Sequence, residues 1–141
     1  MISKFSGDYR WLSNFWACPV EYEGITYPSV EHAYQAAKLP NGDLRKLFAE
    51  DIPAAAVKKM GRLFDIDKTA WEARKVDVMR DLLKIKFAIP YLHEWLLATG
   101  DDELIEGNWW GDTFWGVCRG VGQNMLGRLL MEARCELKEA S

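Results

Sequence analysis

The segment SVEHAYQAAKL, residues 29–39, sets an acid, an amide and an amine at helical spacing. Glu31, Gln35 and Lys38 fall at i, i+4 and i+7, so a helix would bring all three to one face. A carboxylate can move protons and an amine can attack an electrophilic carbon. The same row also describes a solvated face closed by a salt bridge, with Glu31 in the first turn where the helix dipole favours a carboxylate. The opposite face, Ala33, Ala36 and Ala37, is small enough to press against a neighbouring element. His32 reads as a structural histidine with satisfied ring nitrogens.

A second concentration of chemistry lies at residues 107–124, GNWWGDTFWGVCRGVGQN, where five glycines and four bulky aromatics share eighteen positions without a helical or strand period. Trp109, Trp110 and Trp115 beside Gly and Asp suit a stacking platform for a planar ring, or a packed core. RGVGQN ahead of the last helix suits either a phosphate cradle on free backbone N–H groups or an ordinary glycine turn. Asn14 and Asn124 read as caps or turn residues, or as polar contacts to a ligand.

The elements that must hold these residues follow from periodicity and punctuation. PVEYEGITYP predicts a tight hairpin around Glu23-Gly24. A helix is expected over about 30–39 behind the Ser29 N-cap and ahead of Pro40. Asn41-Gly42-Asp43 should turn the chain and cap a short helix to about residue 50. In the next helix Pro53 suits the first position and Gly61 the C-terminal cap. The longest helix should follow Asp67 and run to about Ala88, with Trp71, Val78, Leu82, Ile85 and Ile89 as its core stripe. Another helix spans 91–99 and stops at Gly100, DDELIE suits a short strand, and the last helix runs over about 124–138 with Leu126, Leu129, Leu130, Ala133 and Leu137 inward. The reading is an α+β fold, predominantly α-helical, in a single compact domain over 1–141 with a small β-hairpin element.

Composition limits the function classes. The 141 residues are 49% hydrophobic and 28% charged, as in a globular domain with a real core. No run approaches the roughly 18 apolar residues of a membrane span, and MISKFSGDYR lacks the apolar core of a signal peptide, so a cytoplasmic protein without membrane partners is expected. Three cysteines without CxxC spacing and two distant histidines predict neither a disulfide framework nor a metal site, and the reading calls for no cofactor. A net charge of −3 argues against binding nucleic acid by bulk electrostatics, though it permits a pocket for one nucleotide.

Taken together in order, SNF (13–15), YPSVEHAYQAAK (27–38), MGR (60–62), DTFWG (112–116) and QNMLGRLLMEAR (123–134) resemble the YbiA-like, or NADAR, family over nearly the whole chain. The resemblance implies an N-glycosidase that cleaves the C–N bond between a phosphorylated ribose and a nitrogenous group. Two substrate classes go with it: ribosylamino-pyrimidine intermediates of riboflavin synthesis, and ADP-ribose carried on guanine of DNA or RNA. The alternative is a non-catalytic module binding ADP-ribose or a nucleotide.

Carried onto this chain, the resemblance makes Glu31 and Lys38 the catalytic pair. Breaking a glycosidic C–N bond builds positive charge on the anomeric carbon and leaves a nitrogen that needs a proton, work suited to Glu31. Lys38 can instead attack that carbon and form an imine, provided its pKa falls well below the free value of about 10.4. Burial lowers it and Glu31 raises it. A rise of about 1.5 Å per residue puts the two roughly 10 Å apart along the helix, room for a sugar with its leaving group. Trp115 would stack on base or sugar with Gly116 allowing close approach, Asp112 would accept from ribose or base, Asn14, Gln35 and Asn124 would hold polar atoms, and Arg62 would meet a phosphate. WGD also occurs at 110–112; the spacing to Asn124 favours Trp115 over Trp110. The chain has Val117 and Gln123 where some members have Asp and Lys, a loss of charge at two places that bears on which substrate fits.

Overall fold

The computed structural model describes residues 1–40 and 42–141; Asn41, expected to begin the turn before Asp43, lies outside them. The elements fall into two groups, Asn14–Lys86 and Met1–Ser13 with Phe87–Ser141.

The first group opens with the hairpin, β1 (Val20–Tyr22) paired antiparallel with β2 (Ile25–Tyr27) in the register Val20↔Tyr27. Glu23 and Gly24 both take positive φ, 49° and 85°, which matches the twist a two-residue hairpin loop requires. Helices α1 (Val30–Ala37), α2 (Gly42–Lys46), α3 (Ala54–Gly61) and α4 (Lys68–Lys86) follow, with a 3-10 turn at Leu47–Ala49. Helix α1 packs against both α3 and α4, and every one of its residues is buried. A helix buried all round normally lacks charge, so Glu31, His32 and Gln35 each need a partner. Arg45 fastens the end of α1 by donating from Nε to the Leu39 carbonyl (2.8 Å) and from Nη1 to Glu23 on the hairpin turn (2.6 Å), which holds the Glu23 carboxyl below its usual range.

Two expectations shift in this group. Pro53 is the N-cap of α3 rather than its first residue, and Gly61 is its last helical residue rather than the cap; packing against α1 sets the place of Gly61. In α4, Trp71, Val78 and Leu82 are buried as expected, but Ile85 and Ile89 are half-buried, and Met79, Leu83 and Lys86 complete the inner face. The chain ahead of Pro90 is pushed to extended geometry, so Ile89 leaves the helix as the N-cap of the next one.

Lys86 is 0% exposed, and burial pushes its amine down to about 7, with Cys18 opposing. An unfolded Lys86 keeps its proton to about pH 10.4, so the penalty is complete below pH 7. It is relieved between there and about 10.5, where the unfolded chain holds the extra proton. Lys86→Met is therefore expected to raise the unfolding free energy by about 2 kcal/mol at pH 6, a gain that shrinks toward pH 9.5. Urea unfolding at the two pH values checks this; an equal gain at both would exclude ionisation as the cause.

In the second group, a 3-10 turn at Gly7–Leu12 buries Trp11 and Leu12. Trp11 meets Trp95 and Phe87 edge-on at 5.6 and 6.3 Å. Helix α5 (Pro90–Ala98) carries proline at its start, Gly100 beyond its end takes φ 64°, and α5 packs on α6 (Met125–Ala140). Arg134 Nη1 donates to Thr99 Oγ1 at 2.8 Å across that contact. DDELIE forms no strand: Leu104 makes one parallel bridge to Ile2. Pairing appears instead between β3 (Gly107–Asn108) and β4 (Val117–Cys118), which run parallel. The fold is thus α+β with helices predominant.

Candidate functional site

Four hydrogen bonds fix the start of α1. Ser29 Oγ accepts from the His32 backbone N–H (3.2 Å), as an N-cap should. The Glu31 N–H, orphaned in the first turn, donates to the Asn14 carbonyl at 3.0 Å. His32 Nε2 lies 2.6 Å from the Ile52 carbonyl and Nδ1 lies 2.6 Å from Ser29 Oγ. A carbonyl only accepts, so Nε2 carries the proton and Nδ1 receives the Ser29 hydroxyl. Burial holds this imidazole below its usual pKa, the Ile52 carbonyl opposing. The structural reading of His32 fits this geometry.

Glu31 is 7% exposed, which removes the solvated-face alternative. Gln35 Nε2 donates to Glu31 Oε1 at 2.9 Å, so the amide one turn along orients the acid. The other end of that amide, Oε1, is buried without a hydrogen-bond partner among the described residues and lies where a Cβ on Gly61 would fall. Glycine in the last turn of α3 is what lets Gln35 reach Glu31. Gly61→Ala improves helix propensity by about 1 kcal/mol yet drives a buried amide off its place. The expected outcome is a near-neutral change in stability with turnover in the reaction proposed below at least about tenfold lower, since an ångström's displacement of the proposed proton-transfer group suffices. Melting temperature and kcat measured together check it. Unimpaired kcat would show that Gln35 does not set the position of Glu31.

Lys38 is the C-cap of α1, still with helical dihedrals, φ −67° and ψ −22°. Its Nζ lies 5.5 Å from the centroid of the Tyr34 ring and 6.0 Å from that of Trp71, and these two rings meet edge-on at 5.2 Å. Burial lowers the amine's pKa and Glu31 opposes it, while Arg62, Lys58 and Lys75 lower it further. The competition left open by the sequence thus resolves toward a depressed pKa, because desolvation is the largest cause. Arg62 is exposed at the C-cap of α3. Asn14 directs Nδ2 at Met79 Sδ (3.6 Å), and its Oδ1 is buried without a partner among the described residues.

In the second group Asp112 Oδ1 accepts the backbone N–H of Phe114 (3.1 Å) and of Trp115 (2.9 Å), and Asn108 brackets Asp112 through both backbone groups. That carboxylate fixes the turn presenting Trp115, half-buried and edge-on to Phe114 at 4.9 Å. Gly116 is buried where a Cβ would strike Glu106. The Asn124 side chain accepts from the Glu106 N–H and donates to the Leu104 carbonyl, both at 2.9 Å. Of the two readings of RGVGQN, the ordinary turn fits: the N–H groups of Gln123, Asn124, Met125 and Leu126 donate to the carbonyls of Thr113, Gly116, Phe114 and Trp115. Trp109 is 81% exposed and meets Trp110 edge-on at 5.6 Å.

Of the residues singled out in the sequence, Asn14, Glu31, Gln35, Lys38 and Arg62 belong to the first group and Asp112, Trp115, Gly116 and Asn124 to the second. Sequence reasoning missed Tyr34, Trp71 and Gly61. Tyr34 was within reach, since it stands one turn before Lys38; Trp71 and Gly61 come from distant elements and carry no local signal. Among the described residues no group of three or more His, Cys, Asp and Glu could hold a metal ion, and no helix is long and apolar enough to cross a membrane.

Comparison with known proteins adds an independent line. The NADAR domain family is matched over residues 3–138. The chain is 40% identical to a riboflavin biosynthesis protein of Vibrio vulnificus, covering 94% of this chain and 36% of that one, so it spans about a third of that relative's length. It is 38% identical to the N-glycosidase YbiA of Escherichia coli, covering 94% of this chain and 84% of the relative. The NMR structure of Escherichia coli YbiA matches 99% of this chain and 88% of its own with a TM-score of 0.83 at 35% identity.

Proposed function

The chain belongs to the NADAR domain family, and from that membership we propose that it is an N-glycosidase, a hydrolase acting on the C–N glycosidic bond of a phosphoribosyl or ADP-ribosyl compound. The observation that carries this reading is the buried row Glu31–Gln35 with Lys38, whose amine is held below its ordinary pKa beside two aromatic rings. The N-glycosidase name of YbiA and the riboflavin name of the Vibrio protein support it. The riboflavin name and the net charge of −3 favour a small ribosylamino-pyrimidine phosphate over ADP-ribosylated guanine in nucleic acid. The free cysteines Cys18, Cys118 and Cys135 fit a reducing, cytoplasmic setting. We take residues 1–141 as a single functional domain.

The steps follow from the residue types. The neutral Lys38 Nζ attacks the anomeric carbon as its bond to the leaving nitrogen breaks, and that nitrogen takes the proton from the Glu31 carboxyl. Glu31 recovers a proton from Nζ and passes it to the ring oxygen as the Nζ lone pair expels it, leaving an open sugar joined through an iminium. Water adds to that carbon and gives its proton to Glu31. The proton moves to Nζ, the C–N bond to Lys38 breaks as Glu31 takes the proton of the new hydroxyl, and the sugar leaves as its aldehyde. Base, sugar and the starting Lys38–Glu31 pair result from one water. Arg62 meets a phosphate, Asn14 meets the sugar or base and Gln35 orients Glu31; in the second group Asp112, Gly116 and Asn124 shape the loop that presents Trp115.

The test incubates purified protein with a ribosylamino-pyrimidine phosphate and with guanine-ADP-ribosylated DNA, with borohydride in parallel samples. Released base together with a sugar adduct seen by intact mass is the expected result. Binding without release of base would select the ligand-binding module instead.

A further inference from the structure

The iminium of the proposed reaction needs a field that favours positive charge, and the surroundings of Lys38 supply little of one. From α3 come Lys58 and Arg62, from α4 Lys75, all cationic, while α1 contributes Glu31 as the acid that acts on the amine. Arg74, also of α4, places its guanidinium 5.7 Å from the Trp71 ring centroid. Glu31 changes charge at each proton transfer, so it cannot hold the cation through the whole cycle. The ring faces can: a π quadrupole keeps its sign, takes no proton and does not attack carbon.

We infer that Tyr34 and Trp71 form an aromatic cage whose ring faces stabilise the cation developed at Lys38 Nζ and the sugar carbon bound to it, a catalytic role for two residues that otherwise read as core. The inference rests on the N-glycosidase reading. Its basis is the approach of one amine to two rings, 5.5 and 6.0 Å from their centroids. The rings stand at 60° to one another, so both can flank the amine without stacking on each other. Trp71 is 7% exposed, and desolvation strengthens a cation–π contact. The contact of a ring face with the neutral, attacking form of the amine is weak. It strengthens as charge develops, so it acts on the transition state more than on the bound substrate. Tryptophan is the strongest of the aromatic faces for this purpose, and an aliphatic side chain would fill the same space without the field.

The experiment replaces Trp71 alone with mono-, di- and trifluorotryptophan by site-specific incorporation, which drains the ring's negative face with little change of shape. The expected result is a stepwise fall in kcat reaching about 10- to 30-fold, with KM within about threefold and the thermal unfolding midpoint unmoved. The fraction trapped by borohydride should fall in step. A kcat that stays flat across the series, in a protein that turns over as wild type, overturns the cage, because a packing role is indifferent to ring electrostatics. A wild-type protein inert toward both substrates instead removes the functional reading, and this inference with it. Trp71→Leu and Trp71→Phe extend the comparison, phenylalanine retaining the larger share of activity; if the leucine variant does not fold, the fluorinated series decides.

Discussion

Lys38→Ala is expected to lower kcat at least about a thousandfold and to abolish the borohydride-trapped adduct. The amine is the proposed nucleophile, and the structure prepares it: burial and three neighbouring cations hold its pKa down against the opposing pull of Glu31. Lys38→Arg should be equally inactive, because a guanidinium keeps its proton and cannot attack. Substrate affinity should fall by less than about tenfold, since the side chain acts on the reacting carbon more than on the phosphates. Wild-type kcat should fall on acidification, as the neutral amine is lost when pH drops through its depressed pKa. Retention of a tenth or more of wild-type turnover in Lys38→Ala would move the mechanism to direct attack by water assisted by Glu31.

Glu31→Gln is expected to cost about a hundred- to a thousandfold in kcat, the range for loss of a positioned general acid–base. The substitution keeps the shape of the side chain, and Gln35 can still bond to the new amide, so the unfolding midpoint should change little. A second readout separates the charge of Glu31 from its packing. Glu31 raises the pKa of Lys38; without it the amine loses its proton more readily, so the acid limb of the residual activity should move to lower pH. Arg62, Lys58 and Lys75 remain in the variant and push the same way. An acid limb that stays in place would mean that the carboxylate does not sense the amine, and an unchanged kcat would end its assignment as proton donor.

The local devices were legible in the sequence. The Ser29 cap, the hairpin at Glu23-Gly24 and the row of Glu31, Gln35 and Lys38 follow from spacing and turn chemistry and are found, although α1 ends at Ala37, short of the expected Leu39, with Lys38 as its C-cap. Where expectation and structure part, a distant group intervenes. RGVGQN suits an anion cradle or a glycine turn, and the carbonyls of residues 113–116 decide for the turn by taking the N–H groups of residues 123–126. DDELIE looks like a strand, yet the side chain of Asn124 takes up the Leu104 carbonyl and the Glu106 N–H. Gly61 looks like a helix cap, yet its missing side chain is the space Gln35 occupies.

By itself the sequence determined which chemical groups share the face of α1 and in what order, because helical pitch directs side chains from local spacing. It left the state of those groups open. Burial of α1 between α3 and α4, the Gln35 bond to Glu31 and the rings beside Lys38 all depend on residues far away in the chain. Whether the amine carries its proton is set by desolvation and by charges at a few ångströms, and only the tertiary structure brings Trp71, Lys75, Lys58 and Arg62 that near.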